Sequence, residues 1–310
     1  MKFKWAMVCT LLAVSMTFAD QAAAKRSGRT AAAKHHRAVK AADGPLMLAS
    51  SVAMIVDQES GKTLYARKSD VKAPIASITK LMTAMVVLDA NLPLDEPLTI
   101  AQEDVDLLRG SGSRLRVGTT LTRSEMLQLA LMSSENRAAA ALARTYPGGT
   151  KEFVAAMNHK AAELGMANTT FVDSTGLRSE NASTAEDLVK MVRAGYHYDL
   201  IREMTTREAY DVTPSGRNGR LAFHNTNALV KSRKWDIGLS KTGFINEAGR
   251  CLVMQAKIAT QPVIIVLLDS WGKYTRIADA NRIKKWLETS SKSKKWLETS
   301  SKLRPDNSNG

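Results

Sequence analysis

Cysteine is nearly missing from this chain, with two in 310 residues, Cys9 and Cys251. The first lies in an N-terminal stretch expected to be removed, so the rest has no internal disulfide available. A lone cysteine in an apolar run is expected to be buried as a small hydrophobe. Histidine is also scarce. His35-His36 sits in a basic stretch, and His159, His197 and His224 are scattered, so no Cys/His grouping has metal-site spacing. Neither a metal nor a cofactor is expected. Long apolar runs are lacking too. The longest, Trp5 to Phe18, is too short for a comfortable membrane span. With Lys2 and Lys4 before it and small residues after it, it has the layout of a cleavable secretory signal. Residues 1–24 are therefore expected to leave, with cleavage after Ala19 or Ala24, and the mature chain to be soluble.

Acidic residues are missing from one end and outnumbered at the other. Residues 25–40 carry six lysines and arginines and no acid, and residues 284–310 carry seven against three acids. Of the net charge of +14, the body at 41–283 keeps only about +3. Basicity confined to the ends excludes a nucleic-acid groove. It fits either solvated tails or loose association with an anionic envelope polymer. Residues 25–44, rich in Ala, Lys, Arg and His and without periodicity, are expected to be a disordered linker. Near the C-terminus, Lys284 to Lys292 recurs as Lys294 to Lys302. One tandem copy is too little for a repeat architecture, and it is expected to extend the last helix.

What is present between these ends reads clearly. Ser51 to Val56 has a buried-strand pattern, Asp57 to Gly61 a turn, and Thr63 to Ala66 a return strand. From 80 to about 215 the pattern is mostly helical. Helical segments between Leu121 and Ala143 are interrupted at Ser133 to Asn136, and Lys151 to Leu164 is closed by Gly165. A further helix opens on a Ser183-Thr184-Ala185-Glu186 capping box. Three apolar runs follow, Ile237 to Phe244, Cys251 to Ile258 and Val263 to Leu268, with the spacing of an antiparallel meander, and then an amphipathic helix from Tyr274 to Leu287. The fold class is α+β: one antiparallel sheet assembled from both chain ends, flanking helices, and an all-helical subdomain inserted between.

Ser77 and Lys80 stand three apart at a predicted helix start after Pro74, close enough for hydroxyl and amine to meet. The apolar neighbours Ile78, Leu81, Met82, Met85 and Val86 would desolvate the amine and make it a base for the hydroxyl. A core helix with a snorkelling lysine would give the same letters. Ser-x-x-Lys also occurs at Ser69–Lys72, Ser270–Lys273 and Ser291–Lys294. Only Ser77 is followed by Ser134-Glu135-Asn136, 57 residues on, and by Lys241-Thr242-Gly243, 107 beyond that.

That ordered trio resembles the penicillin-recognising serine enzymes, penicillin-binding proteins and class A β-lactamases among them. The surrounding text, including Pro74 to Thr83, Asp173 to Leu177 and Ser183 to Leu188, resembles the low-molecular-mass D-alanyl-D-alanine carboxypeptidase/endopeptidase family. The loop Arg109 to Leu115 and the segment Ser133 to Ala139 are most similar to its penicillin-binding protein 7/8 type of endopeptidase. The resemblance covers about 48–285. It implies a β-lactamase/transpeptidase-like fold with one DD-peptidase domain at 45–287 and a basic tail at 288–310. It also implies a periplasmic location, peptidoglycan peptides as substrate and β-lactam antibiotics as covalent inhibitors. Ser77 would be the nucleophile, Lys80 the base and Ser134 a proton relay. Asn136, Lys241, Thr242 and Gly243 would hold substrate, and the N–H groups of Ser77 and Phe244 would form the oxyanion hole. Mutual repulsion between Lys80 and Lys241 is expected to lower one pKa. The Glu-x-x-Leu-Asn segment that class A β-lactamases use for deacylation is not found between Asn136 and Lys241, so penicillin is expected to acylate Ser77 and leave slowly.

Overall fold

The computed structural model describes residues 46–215 and 219–302, with side chains described as far as 291. The expected signal (1–24) and linker (25–44) lie outside the described residues.

The strands are β1 (Val52–Asp57), β2 (Thr63–Arg67), β3 (Ala73–Pro74), β4 (Pro97–Thr99), β5 (Thr120–Thr122), β6 (Ala182–Ser183), β7 (Ala209–Val212), β8 (Leu221–His224), β9 (Asp236–Ile245), β10 (Gly249–Ile258) and β11 (Gln261–Ser270). Five of them form one sheet in the order β2-β1-β11-β10-β9. The first hairpin joins the C-terminal meander through β1 against β11, antiparallel, Val52 opposite Leu268. The sheet is therefore closed by both ends of the chain, as the periodicity predicts. In β10 and β11 the runs Cys251–Ala256 and Val263–Leu268 are buried at every position. Helices pack on both sheet faces, Ala185–Gly195 against β1, β10 and β11, and Thr275–Lys302 against β10 and β11, so these strands have no solvent face to make polar.

That arrangement leaves β9 on an edge, carrying Lys241-Thr242-Gly243. The insertion between β2 and β9 packs beside it. At its centre is the helix Thr79–Asp89, buried from Thr79 through Val87. Around that lie helices Arg123–Met132, Asn136–Arg144, Gly149–Glu163, Ala185–Gly195 and Asp199–Thr206. The insertion is not purely helical. Three two-stranded ladders, β3-β6, β4-β5 and β7-β8, punctuate it. They are two to four residues long, too short to show a period in sequence.

Local chemistry moves several boundaries. Pro74 lies in β3 instead of opening a helix, and Ala76–Ile78 form a 3₁₀ turn before the α-helix begins at Thr79. The capping box shifts by one: Thr184 is the N-cap and accepts from Asp187 N, while Ser183 belongs to β6. Glu186 instead accepts from Ser69 Oγ at 2.9 Å. The last helix runs through the duplicated segment to Lys302, so the expected tail begins as helix. Cys251 is fully buried, and burial pushes its thiol up to about 11.

Candidate active site

Ser77 sits where the 3₁₀ turn meets the central helix. Ala76 just before it has φ +48°, a left-handed conformation that costs an L-residue about 1–2 kcal/mol. It is held by close packing. A Cβ on Gly176 would stand 1.9 Å from Ala76 O, and one on Gly243 would stand 2.9 Å from Ile75 O and 3.2 Å from Ser77 N. Glycine at both positions lets a loop and a strand edge approach the nucleophile's backbone from two sides.

Lys80 is fully buried, and its Nζ donates to Ser77 Oγ at 2.9 Å, Asn136 Oδ1 at 2.7 Å and the Thr175 carbonyl at 2.6 Å. Burial lowers its pKa to about 7, against the opposing pull of Asp173 and Glu135. Two of the three partners are oxygens that only accept. In the neutral amine the two N–H groups stay on Asn136 and Thr175, and the lone pair faces the Ser77 hydroxyl. That is the arrangement of a base for this nucleophile.

The second motif falls in the break between helices Arg123–Met132 and Asn136–Arg144. Ser134 has φ +62°, which turns its hydroxyl toward the strand wall, where Lys241 Nζ donates to it at 2.9 Å. Asn136 accepts from Lys80 and donates through Nδ2 to Ser111 Oγ at 2.9 Å. Lys241 is itself buried and also donates to the Thr242 carbonyl. Its pKa is held well below the usual lysine value by burial first, then by Lys80 and Arg276. Desolvation, not mutual repulsion, is thus the leading cause for both lysines, because neither head group reaches bulk water. Thr242 Oγ1 donates to Thr226 Oγ1 at 2.7 Å. Phe244 follows on the same edge, its ring 51% exposed and covered on one side by Arg250.

All eight residues named from sequence converge on one cleft between the helical insertion and β9. Two of the competing pairs have other partners. Ser69 bonds Glu186 while Lys72 bonds Thr170, and Ser270 is buried on Ser50 with Lys273 over Tyr274. Ser291 bonds the Leu287 carbonyl, and Lys294 lies outside the described side chains.

The sequence marked Asp173 to Leu177 only as part of the family resemblance and gave the loop 173–178 no role at the site. Asp173 accepts from Thr175 N, Gly176 N, Thr175 Oγ1, Arg178 N and Asn181 Nδ2, shaping a turn that presents the Thr175 carbonyl to Lys80. Thr83 Oγ1 donates to the Ser174 carbonyl, and Ser174 Oγ to that of Ala139. One turn therefore ties the central helix to the Ser134 helix. An Asp-x-x-Gly pattern marks such a turn in sequence, but nothing there says which lysine its carbonyl will meet. Ser111, within the loop Arg109 to Leu115 quoted for the resemblance, was likewise given no role, and Arg276 was missed; the latter donates to the Gly243 carbonyl at 3.1 Å.

The fold is that of the DD-transpeptidases: the Streptomyces K15 enzyme superposes with a TM-score of 0.73 at 30% identity, over 79% of this chain and 98% of that one. Residues 38–272 match the peptidase S11 family, D-alanyl-D-alanine carboxypeptidase, and the chain belongs to that family. It is 54% identical over 242 residues to a D-alanyl-D-alanine endopeptidase of Pseudomonas aeruginosa, covering 78% of each chain. With the D-alanyl-D-alanine endopeptidase of Escherichia coli it shares 47% over 288 residues, 93% of this chain and 89% of that one.

Proposed function

We propose that this protein is a serine DD-peptidase of peptidoglycan that hydrolyses D-alanyl cross-link bonds through an acyl-enzyme on Ser77. The observation that carries the reading is the Ser77 hydroxyl at 2.9 Å from a fully buried lysine amine whose other two partners are obligate acceptors. Lys80 takes the Ser77 proton as Oγ bonds to the D-alanyl carbonyl carbon. The tetrahedral oxyanion forms beside the N–H groups of Ser77 and Phe244. The C–N bond then breaks, and Ser134, held by Lys241, passes a proton to the leaving amine. Water attacks the ester, its proton going to Lys80, and Ser77 is restored. Asn136 orients the substrate amide, Lys241 and Thr242 take its negative charge, and Gly243 admits the peptide as a strand against the β9 edge.

Penicillin enters the same chemistry and stays. Asp173 is wholly engaged in its own turn, and Glu135 caps a helix through Arg137 N, so neither of the two carboxylates that act on Lys80 stands free to activate a deacylating water. The endopeptidase names of the 54% and 47% relatives favour cross-links over terminal D-alanine. Relatives named carboxypeptidases stand at 27% to 33%. The domain reading places residues 45–287 in the enzyme and 1–24 in a signal that delivers it to the periplasm. The basic stretches at 25–40 and 284–310 would rest loosely on anionic envelope polymer.

The test is intact mass after incubation with penicillin, followed by digestion of cross-linked muropeptide dimers. The wild type gains one penicillin mass and releases monomers from dimers, and Ser77→Ala does neither. Labelled Ser77→Ala would refute the nucleophile. Intact dimers with trimmed pentapeptides would mark a carboxypeptidase instead.

A further inference from the structure

Three large aromatic side chains are exposed among the described residues: Trp271 at 70%, Tyr274 at 69% and Phe244 at 51%. They lie together. Phe244, Arg250 and Ser270 stand opposite one another across β9, β10 and β11, and Trp271 follows Ser270. Tyr274 leads into the last helix. The first turn of that helix is fastened to the catalytic strand through Arg276, which donates to the Gly243 and Cys251 carbonyls at 3.1 and 3.3 Å.

Cations are interleaved with the rings. Arg250 lies 4.6 Å from the centre of Phe244 and Lys273 5.5 Å from that of Tyr274. No ion pair among the described residues involves Arg250, Lys273 or Arg276. Arg250 is close enough to Arg276 to help lower its pKa, after burial. A surface of ring faces and unpaired cations is costly to leave uncovered and marks a binding face.

We infer that this platform, Phe244–Arg250–Trp271–Tyr274, carries the part of the wall polymer that lies beyond the scissile peptide, its sugar rings on the aromatic faces and its stem-peptide carboxylates on the cations. The inference rests on the peptidoglycan reading above. Continuity selects the occupant: a peptide laid along β9 past Gly243 runs directly onto Phe244, so whatever fills the cleft also reaches the platform. Ring faces match the C–H faces of sugars, and charge-assisted contacts match carboxylates. Trp and Tyr beside lysine also suit a bilayer interface, and that alternative is built into the test.

The experiment compares wild type with Trp271→Ala/Tyr274→Ala and with Trp271→Phe/Tyr274→Phe. Three readouts are followed: penicillin acylation rate, digestion of purified sacculi, and binding to phosphatidylglycerol vesicles. The expected result is unchanged acylation in all three proteins. Sacculus digestion falls about tenfold in the alanine variant, as loss of two stacking contacts would give, and is largely restored in the phenylalanine variant. Unchanged sacculus digestion overturns the inference. So does a parallel loss of acylation, which would mean a distorted cleft, and so does vesicle binding by wild type that the alanine variant loses while digesting sacculi normally. A wild type that takes no penicillin would overturn the peptidase reading itself, a result distinguishable from all of these.

Discussion

The two walls of the cleft are built in opposite ways. The helical wall is irregular, with Ser77 behind a left-handed Ala76 and Ser134 itself left-handed. The strand wall is regular: Lys241, Thr242 and Gly243 pair in unbroken register with Val253, Leu252 and Cys251. Groups that move protons must each be aimed in a particular direction, and strained backbone provides the aim. A wall that presents backbone and fixed charge needs only the ordinary pleat. The buried lysines divide the same way. Lys80 has three acceptors and keeps its partners in either protonation state. Lys241 has Ser134, one carbonyl, and two cations nearby. One lysine is arranged to change charge and the other to meet it.

Removing the switch should break that contrast most sharply. Lys80→Met is expected to slow penicillin acylation by roughly 10³-fold, within the range for loss of a positioned base. In the wild type the acting form is the neutral amine, so acylation should fall about tenfold per pH unit below about 7. The same lowered pKa has a stability sign. The folded chain holds the proton less tightly than the unfolded one, whose lysine titrates near the ordinary value of 10.5. From about 7 upward toward that value the unfolded state binds more protons, and stability rises with pH. The rise in Tm between pH 7 and 9 should therefore be smaller in Lys80→Met. A wild-type acylation rate that is flat from pH 5 to 8 would sink the assignment.

The two glycines separate the walls. Gly176→Ala places a Cβ on the Ala76 carbonyl at a φ of +81°, so it should destabilise the fold by a few kcal/mol, read as a lowered Tm. Gly243→Ala lies on a regular strand and should fold. Its Cβ, 2.9 Å from Ile75 O and 3.2 Å from Ser77 N, must push β9 off the nucleophile, with acylation slowed about 100-fold. Equal losses of Tm in both variants would erase the distinction between the walls.

How much of this the sequence held depends on the kind of contact. The sheet was legible because β10 and β11 are covered on both faces and so read as unbroken apolar runs. The trio Ser77–Lys80, Ser134–Asn136 and Lys241–Gly243 was legible because its chemistry resides in side chains. What positions the trio was not. The Thr175 carbonyl that holds Lys80 is backbone, available at any residue. Ser111 reaches Asn136 from 25 residues away along an irregular loop, and no period or spacing encodes that. The capping box was misplaced by one residue because Ser183 and Thr184 are both favoured caps, serine the more so, and the pairing of Ser183 with Ala73 overrode that preference.

The smallest effect tests whether the walls are joined where Arg109 bridges them. Its Nη2 pairs with Glu247 at 2.9 Å, in the turn between β9 and β10, and its Nε donates to the Leu177 carbonyl at the end of the 173–178 loop. The Glu247 partner is open to solvent, and exposed pairs of this kind are screened and contribute little. Glu247→Gln should therefore change acylation by about twofold or less, and 1 M salt should abolish the difference. Arg109→Ala also removes the Leu177 contact, which steadies the turn presenting Thr175 to Lys80. It should slow acylation by about tenfold, the scale of one lost charge-assisted hydrogen bond, and this loss should persist in high salt. If instead the two variants behave alike, the ion pair is the functional link and the turn is held by Asp173 alone. If they differ as expected, the strand wall stands independently at this corner, and Arg109 serves the helical wall.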